Sequence, residues 1–182
     1  MIMDGLLLLD GSVSSAGAFS GTAVSSGSTF TTGSTSSANI LDVSQLASSA
    51  KGYGRDIGIG EELELVVMVT TLFTGSSSTL QVQLQYAPDG GSGTPGSFVT
   101  VAQSIAYALT ALTAGTELLR IKLPPMTPSA ATGSAMPKFI QMNYVVGTAN
   151  MTAGAIAAFI VLDKTALGPG LGYQSGYSNQ YL

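Results

Sequence analysis

The segment Leu80-Gln-Val-Gln-Leu-Gln-Tyr86 alternates apolar and polar side chains without a break. Successive side chains of a β-strand point to opposite faces, so this strict alternation indicates a strand with one buried face. The four apolar side chains would face a core, and the three glutamines would face outward. Burying four such side chains contributes about 6–12 kcal/mol before the opposing terms are counted. The pattern therefore commits this part of the chain to a sheet.

Five other segments carry strand patterns, and Gly-, Ser- and Pro-rich turns separate them. The six predicted strands cover residues 61–69, 80–86, 98–106, 117–123, 139–146 and 154–163. Ala108–Gly115 has turn or short-helix character, and helical periodicity is otherwise almost absent. Leu6–Asp10 and Ile40–Leu46 could supply two more strands, and eight strands would make a jelly roll. We predict an all-β fold, a single jelly-roll β-sandwich with an extended N-terminal arm and a C-terminal tail.

The predicted organisation has an N-terminal arm with a possible edge strand (1–50), a sandwich core (51–165) and a tail (166–182). Residues 11–39 contain no charge and are mostly Gly, Ser and Thr. That composition favours a flexible linker or arm. The alternative is a segment that becomes ordered only against a neighbour, with Phe19, Val24 and Phe30 as its apolar contacts.

The C-terminal tail carries Tyr173, Tyr177 and Tyr181 at intervals of four residues. Chain ends are frayed by default. Tyrosine, however, offers a large contact area at low entropic cost. We therefore favour a tail that docks on a neighbouring subunit.

The composition argues against an enzyme. The chain has no His, Cys or Trp, only six Lys plus Arg, and 9% charged residues. Catalysis near neutral pH depends chiefly on groups that titrate there, above all His and Cys. Without Cys there is no disulfide and no thiolate nucleophile, and only an oxygen-ligated metal site could exist. We expect no catalytic residue, no cofactor and no metal.

Four local patterns could carry chemistry, and each has a simpler structural interpretation. Ser48–Lys51 could pair a serine with a lysine but lies in a Gly-flanked loop. Glu62 and Glu64 would share one strand face, yet more simply they are solvated charges at a strand edge. Asp89 in Pro-Asp-Gly-Gly is a turn residue. The Gly-dense Gly52–Gly60 segment matches no phosphate-binding spacing and indicates a twisted entry into the sheet.

Charge and hydropathy restrict the partners. The formal net charge is −4 and no basic run is present, which disfavours nucleic acid. The most apolar stretch, residues 139–162, is interrupted by Gly147 and Asn150 and indicates two strands and a turn rather than a membrane span. Met1–Asp4 carries an acid where a signal peptide needs a base, and Leu6–Leu9 is too short for its apolar region. We expect an unprocessed chain made in the cytoplasm.

Several segments together resemble one known family, and they occur in its order along the chain. The chain resembles the small capsid cement (decoration) proteins of tailed bacteriophages, of the single jelly-roll type. The resemblance covers residues 1–10 and roughly 50–182, and the stretch at 11–39 is longer than the family suggests. The segments that carry it are residues 1–10, 55–63, 80–85, 118–125, 140–146, 152–163 and 175–177.

The resemblance implies a non-enzymatic virion protein made in the host cytoplasm. It would lie on the outer capsid surface as a homodimer and bridge neighbouring major capsid proteins. We expect removal of residues 1–10 or 168–182 to weaken attachment without unfolding the chain. The alternatives are a carbohydrate-binding or tail-associated β-sandwich and, far behind, a hydrolase using Glu62 and Glu64. The predicted partner contacts are Met1, Ile2, Leu6, Leu8, Phe19, Phe30, Tyr173, Tyr177 and Tyr181.

Overall fold

The computed structural model of the chain describes residues 8–13, 19–23, 30–42, 63–124, 126 and 136–161. These residues form an all-β structure, with one 3-10 turn at Leu109–Ala111. The strands are β1 (Leu8–Asp10), β2 (Ser12–Val13), β3 (Phe19–Ser20), β4 (Thr22–Ala23), β5 (Gly33–Ser36), β6 (Leu41–Asp42), β7 (Glu64–Gly75), β8 (Thr79–Gly91), β9 (Thr94–Pro95), β10 (Val99–Gln103), β11 (Tyr107–Ala108), β12 (Glu117–Lys122), β13 (Pro137–Gly147) and β14 (Met151–Val161).

Two antiparallel sheets form a β-sandwich. Sheet one has the order β1-β14-β7-β12, with β4 also paired to β14. Sheet two has the order β10-β8-β13-β5, with β6 also on β13 and β9 and β11 also on β8. A separate short hairpin joins β2 and β3. The predicted all-β sandwich is confirmed.

The six strands predicted from the sequence correspond to β7, β8, β10, β12, β13 and β14. The most apolar stretch is two strands joined by a turn, as predicted. Thr148 at that turn has a φ of 70°, the left-handed conformation that a tight connection requires. Within the described residues, no helix has the length and apolar character needed to span a membrane.

The core lies between the sheets and follows the alternation of the strands. All four apolar side chains of the Leu80–Tyr86 segment are at most 2% exposed. The inward residues of β13, which include Tyr144, alternate in the same way. From sheet one, β7 contributes Leu65, Val67 and Val69 to the core. The predicted inward face of β8 is therefore confirmed.

Part of the outer face of sheet one is also buried. Leu8, Val66, Ala157, Phe159 and Val161 form a second apolar cluster there. Because β7 is a central strand between β14 and β12, its outward residues are flanked on both sides.

Burial of this face corrects one sequence interpretation. Glu64 is 7% exposed, with Arg120 Nη1 3.7 Å from its Oε2. It is therefore not a solvated edge charge, since its strand lies inside the sheet. Glu62 lies outside the described residues.

The Gly/Ser/Thr segment is part of the sandwich where the structure describes its second half. Strand β5 pairs with β13 from Asn143 to Val146. Phe30 is 1% exposed and packs edge-on against Phe73, with ring centroids 5.7 Å apart. The linker prediction is wrong for residues 30–36, because one buried aromatic anchor and a ladder of hydrogen bonds offset the low apolar content of the segment.

The first strand is tied to the opposite sheet through a buried hydrogen bond. Tyr144 donates its hydroxyl to Oδ2 of Asp10, which is 1% exposed, and the Ala38 amide donates to Asp10 Oδ1 at 2.9 Å. Leu9 is fully buried in the core. Residues 8–10 and 30–42 thus belong to the sandwich rather than to an arm. A deletion of residues 1–10 would remove β1 from sheet one, so we now expect it to destabilise the fold rather than to spare it.

Gly154 shows how closely the neighbouring strands β14 and β7 approach each other. Its φ is 134°, a conformation that favours glycine, and a Cβ placed there would lie 2.4 Å from Cδ1 of Phe73. Glycine inside a strand often marks such a close approach. Here the missing Cβ of Gly154 leaves room for the Phe73 side chain against the backbone of β14.

Candidate interaction face

Neutral polar side chains lie together on the outer surface of sheet two, and we name this group the amide face. Strand alternation sends the glutamines of β8 outward, because the apolar residues between them fill the core. Gln141 and Asn143 alternate with inward residues of β13 in the same way. The amide face consists of Ser34, Gln81, Gln83, Gln85, Thr100, Gln103, Gln141 and Asn143.

Gln83 lies at the centre of a hydrogen-bond network across four strands. Its Oε1 accepts from Asn143 Nδ2 at 2.9 Å, and Asn143 Oδ1 accepts from Ser34 Oγ at 2.6 Å. On the other side, Gln83 Nε2 donates to Gln103 Oε1 at 3.3 Å. One chain of neutral side chains therefore joins β5, β13, β8 and β10.

A second branch runs parallel to the first. Gln141 Nε2 donates to Gln85 Oε1 at 2.8 Å, and Gln85 Nε2 donates to Thr100 Oγ1 at 3.2 Å. At the far end, Gln81 Nε2 donates to the Ser104 carbonyl at 2.9 Å. Gln141 and Asn143 are only 4% and 6% exposed, although they point away from the core. The amides are therefore held in fixed orientations by one another.

The nearest charges lie at one end of the amide face. Lys138 Nζ is 3.1 Å from Asp89 Oδ2, and the Gly91 amide donates to Asp89 Oδ1 at 2.8 Å. This backbone hydrogen bond, together with the one from Lys138, lowers the pKa of Asp89 below its usual range. The sequence predicted a turn residue here. In the structure Asp89 lies in β8, opposite Pro95 of β9, and the turn follows at residues 92–93. Beyond Asp89, residues 90–116 contain no Asp, Glu, Lys or Arg.

The chemistry of the amide face suits protein contact. A side-chain amide carries two donor hydrogens and a carbonyl oxygen with two lone pairs. Transferring neutral polar groups out of water costs far less than transferring charges, provided that they are hydrogen-bonded. Such a surface can be covered by a partner without a large electrostatic penalty.

The structure does not place all of the predicted partner contacts on the surface. Leu8 is 6% exposed and Phe30 is 1% exposed, so both lie inside the chain's own structure rather than on a docking surface. Phe19 begins strand β3, which pairs with β2. Met1, Ile2, Leu6, Tyr173, Tyr177 and Tyr181 lie outside the described residues.

The catalytic alternatives gain no support from the described residues. Those residues contain no group of three or more His, Cys, Asp or Glu that could hold a metal ion. Ser48–Lys51 and Gly52–Gly60 lie outside them. An open groove of about 330 Å³ is lined mainly by Ser104, Ile105, Tyr107 and β12 residues. The carboxylate that lines this groove belongs to Glu117, and its Oε2 lies 2.6 Å from Arg120 Nη2 in a salt bridge.

Sequence reasoning found the glutamines of β8 but missed the breadth of the amide face. The signal was present, because Gln141 and Asn143 alternate with apolar residues as the β8 glutamines do. What the sequence did not give was the pairing of β13 with β8, which places Gln141 opposite Gln85 and Asn143 opposite Gln83. Ser34 joined the network only because its segment is a strand.

Comparison with known proteins gives a family. A search of curated proteins finds no match to the chain. A family model described as Bbp16 matches residues 24–160, which is well over half of the chain and includes most of the sandwich. The chain therefore belongs to the Bbp16 family.

Proposed function

We propose that the chain is a structural virion protein that decorates and cements the outer surface of a phage capsid by bridging neighbouring major capsid proteins. The observation that carries the proposal is the amide face, a preorganised and uncharged surface that extends over four strands. The resemblance of the chain to capsid cement proteins supplies the class of partner. The proposed protein is a homodimer without enzymatic activity, and it binds neither nucleic acid nor membrane.

The connectivity supports a jelly roll, the fold expected for that class. If β5 is counted as the second of eight principal strands, the first pairs with the last, β1 with β14. In the same count, the second strand (β5) pairs with the seventh (β13). The third strand (β7) pairs with the sixth (β12). The fourth pairs with the fifth, β8 with β10. We infer a long hairpin rolled into two sheets, which is the arrangement of a jelly roll.

The physics of the surface is suited to cementing. A cement subunit gains strength from touching several capsid subunits at once, because linked contacts can exceed either alone by about 10²–10⁴-fold. Each contact can therefore be weak and polar. A net charge of −4 repels packaged nucleic acid, which favours a position outside the shell.

A carbohydrate-binding or tail-associated module is the second candidate, and the amide face is the observation that favours it. Amides hydrogen-bond sugar hydroxyls well. Glycan sites, however, usually add an exposed aromatic ring. The described aromatic side chains whose burial is given are all buried or half-buried. Specific binding on a glycan array, abolished by a change at Gln83, would favour this candidate over the first.

Binding to capsid shells tests the proposal. Shells assembled from the major capsid protein of the parent phage, without this chain, are mixed with the purified protein and sedimented. We expect the intact chain to sediment with the shells. Gln83→Glu places a charge at the centre of the amide face and removes a donor, so its affinity for shells should fall roughly tenfold or more.

Ser76→Glu is the matched control. It adds the same charge at an exposed position in the turn between β7 and β8, outside the amide face. This variant should bind shells as the intact chain does, and thermal unfolding should show that both variants are folded. Equal shell binding by Gln83→Glu and Ser76→Glu would exclude the amide face as the contact, and no binding by the intact chain would refute the proposed function.

A further inference from the structure

Strand β10 forms an exposed edge of sheet two. It pairs with β8 on one side, and in the described part of the chain no strand pairs with its other side. Exposed sheet edges are usually protected by charged residues, proline or a β-bulge, since free N–H and C=O groups attract further strands. The sequence of β10, Val-Thr-Val-Ala-Gln, contains no charged residue and no proline, and its register is interrupted only at Val101.

Two apolar side chains are exposed along this edge. Val101 is 39% exposed and Ile105, just after the strand, is 71% exposed. The register shifts between Thr100 and Ala102, so Val101 has no partner residue on β8. On the same side of the sandwich, the edge strand of sheet one is β12. Unlike β10, it carries charged residues: Glu117, Arg120 and Lys122.

We propose that the outer edge of β10 pairs antiparallel with β10 of a second copy of this chain about a two-fold axis. This assignment deepens the proposed function, on which it rests, by placing the contact of the homodimer. Sheet two would then continue from one copy into the next, and the two amide faces would form one wider surface. Thr100 and Gln103 already extend that face to the edge.

The distribution of charge favours a second copy as the occupant. Each chain has a net charge of −4, so most self-contacts would oppose acidic groups. Residues 90–116 carry no charge at all, and β10 lies in the middle of that run. Pairing through β10 therefore opposes no like charges along the strand and buries no charged side chain of it. An antiparallel strand edge is also self-complementary in hydrogen bonds, as a two-fold contact requires.

The groove beside the edge gives the exposed isoleucine a place to pack. Ile105 lies on its rim, and Tyr107, Leu118 and Leu119 contribute to its lining. If the two-fold axis lies near Ile105, each Ile105 meets the groove of the other copy. Burying both side chains adds an apolar contribution to the hydrogen bonds of the paired strands.

Sedimentation of the protein alone tests the pairing. The intact chain should sediment as a dimer at micromolar concentrations. Val101→Lys should weaken the dimer about tenfold or more, because it places a charge on an edge strand that otherwise carries none. Leu72→Lys makes the same change at a 51% exposed position on β7 of sheet one, and it should leave the dimer intact.

Cysteine cross-linking gives a second readout, since the chain has no Cys of its own. Single changes Val101→Cys, Gln103→Cys and Ile105→Cys bracket the position of the axis. At least one should yield a disulfide-linked dimer on mild oxidation, while Leu72→Cys should not. A monomeric intact chain, or a dimer unaffected by Val101→Lys and not cross-linked at the edge, would overturn the proposal. A monomer that still binds shells would overturn the pairing but leave the proposed function standing.

Discussion

Replacing Phe30 with alanine should destabilise the protein by about 3–5 kcal/mol, the usual cost of removing a buried aromatic side chain. The ring is 1% exposed and lies against Phe73 and Tyr144, with ring centroids 5.7 and 5.2 Å away. Aromatic pairs of this kind add to the free energy of burial. The residue comes from the part of the chain that composition alone would assign to a linker. Denaturant unfolding at neutral pH measures the effect.

Two further variants make this result interpretable. Leu72→Ala removes a 51% exposed side chain and should change the free energy of unfolding by no more than about 0.5 kcal/mol. Phe30→Leu keeps much of the apolar volume, so its loss in free energy of unfolding should lie between those of the other two variants. It also gives a measurement if Phe30→Ala does not fold. If Phe30→Ala cost as little as Leu72→Ala, residues 30–36 would behave as a linker, and their place in sheet two would be wrong.

Removing the Tyr144 hydroxyl should cost about 2–3 kcal/mol at neutral pH, because a buried carboxylate then loses a donor. In the intact chain that hydroxyl donates to Asp10, which joins the first strand of sheet one to a central strand of sheet two. Tyr144→Phe keeps the ring and removes only this contact. Tyr107→Phe is the control, since its hydroxyl donates to the neutral Leu118 carbonyl at 3.1 Å and its loss should cost about 1 kcal/mol.

The same tyrosine should make stability fall at alkaline pH. Burial, with the charge and hydrogen bond of Asp10, raises the pKa of Tyr144 well above its usual value, and burial raises that of Tyr86. The folded chain then keeps protons that the unfolded chain loses above about pH 10. Stability is therefore fully present below that pH and is lost above it, by about 1.4 kcal/mol per pH unit for each tyrosine. Tyr144→Phe should make the loss less steep, and an unchanged slope would exclude its hydroxyl from the effect.

Much of the sandwich was predictable because period-two alternation is a local property. Leu80–Tyr86 predicted both the strand and its buried face, and Gly147 with Asn150 marked the turn between β13 and β14. Partners of a strand are not a local property. The sequence therefore could not show that β7 is central, which is why Glu64 was expected to be solvated and proved to be buried.

The candidate site was only partly predictable for the same reason. Three glutamines of β8 were visible as a polar face, but their partners on β13 and β5 come from distant parts of the chain. Residues 33–36 have the composition of a linker, and only their pairing with β13 makes them a strand. Partner contacts were predicted at apolar side chains, among them Phe30. In the structure Phe30 packs in the core instead.

Protein composition of purified phage particles is the most direct test of the central proposal, that this β-sandwich acts by covering a phage capsid. Particles of the parent phage are analysed by mass spectrometry before and after mild protease treatment of their surface. We predict that the chain is present in a fixed ratio to the major capsid protein and that protease removes or cleaves it while the shell stays closed. Particles that lack the chain, or that hold it inside beyond the reach of protease, would contradict the account.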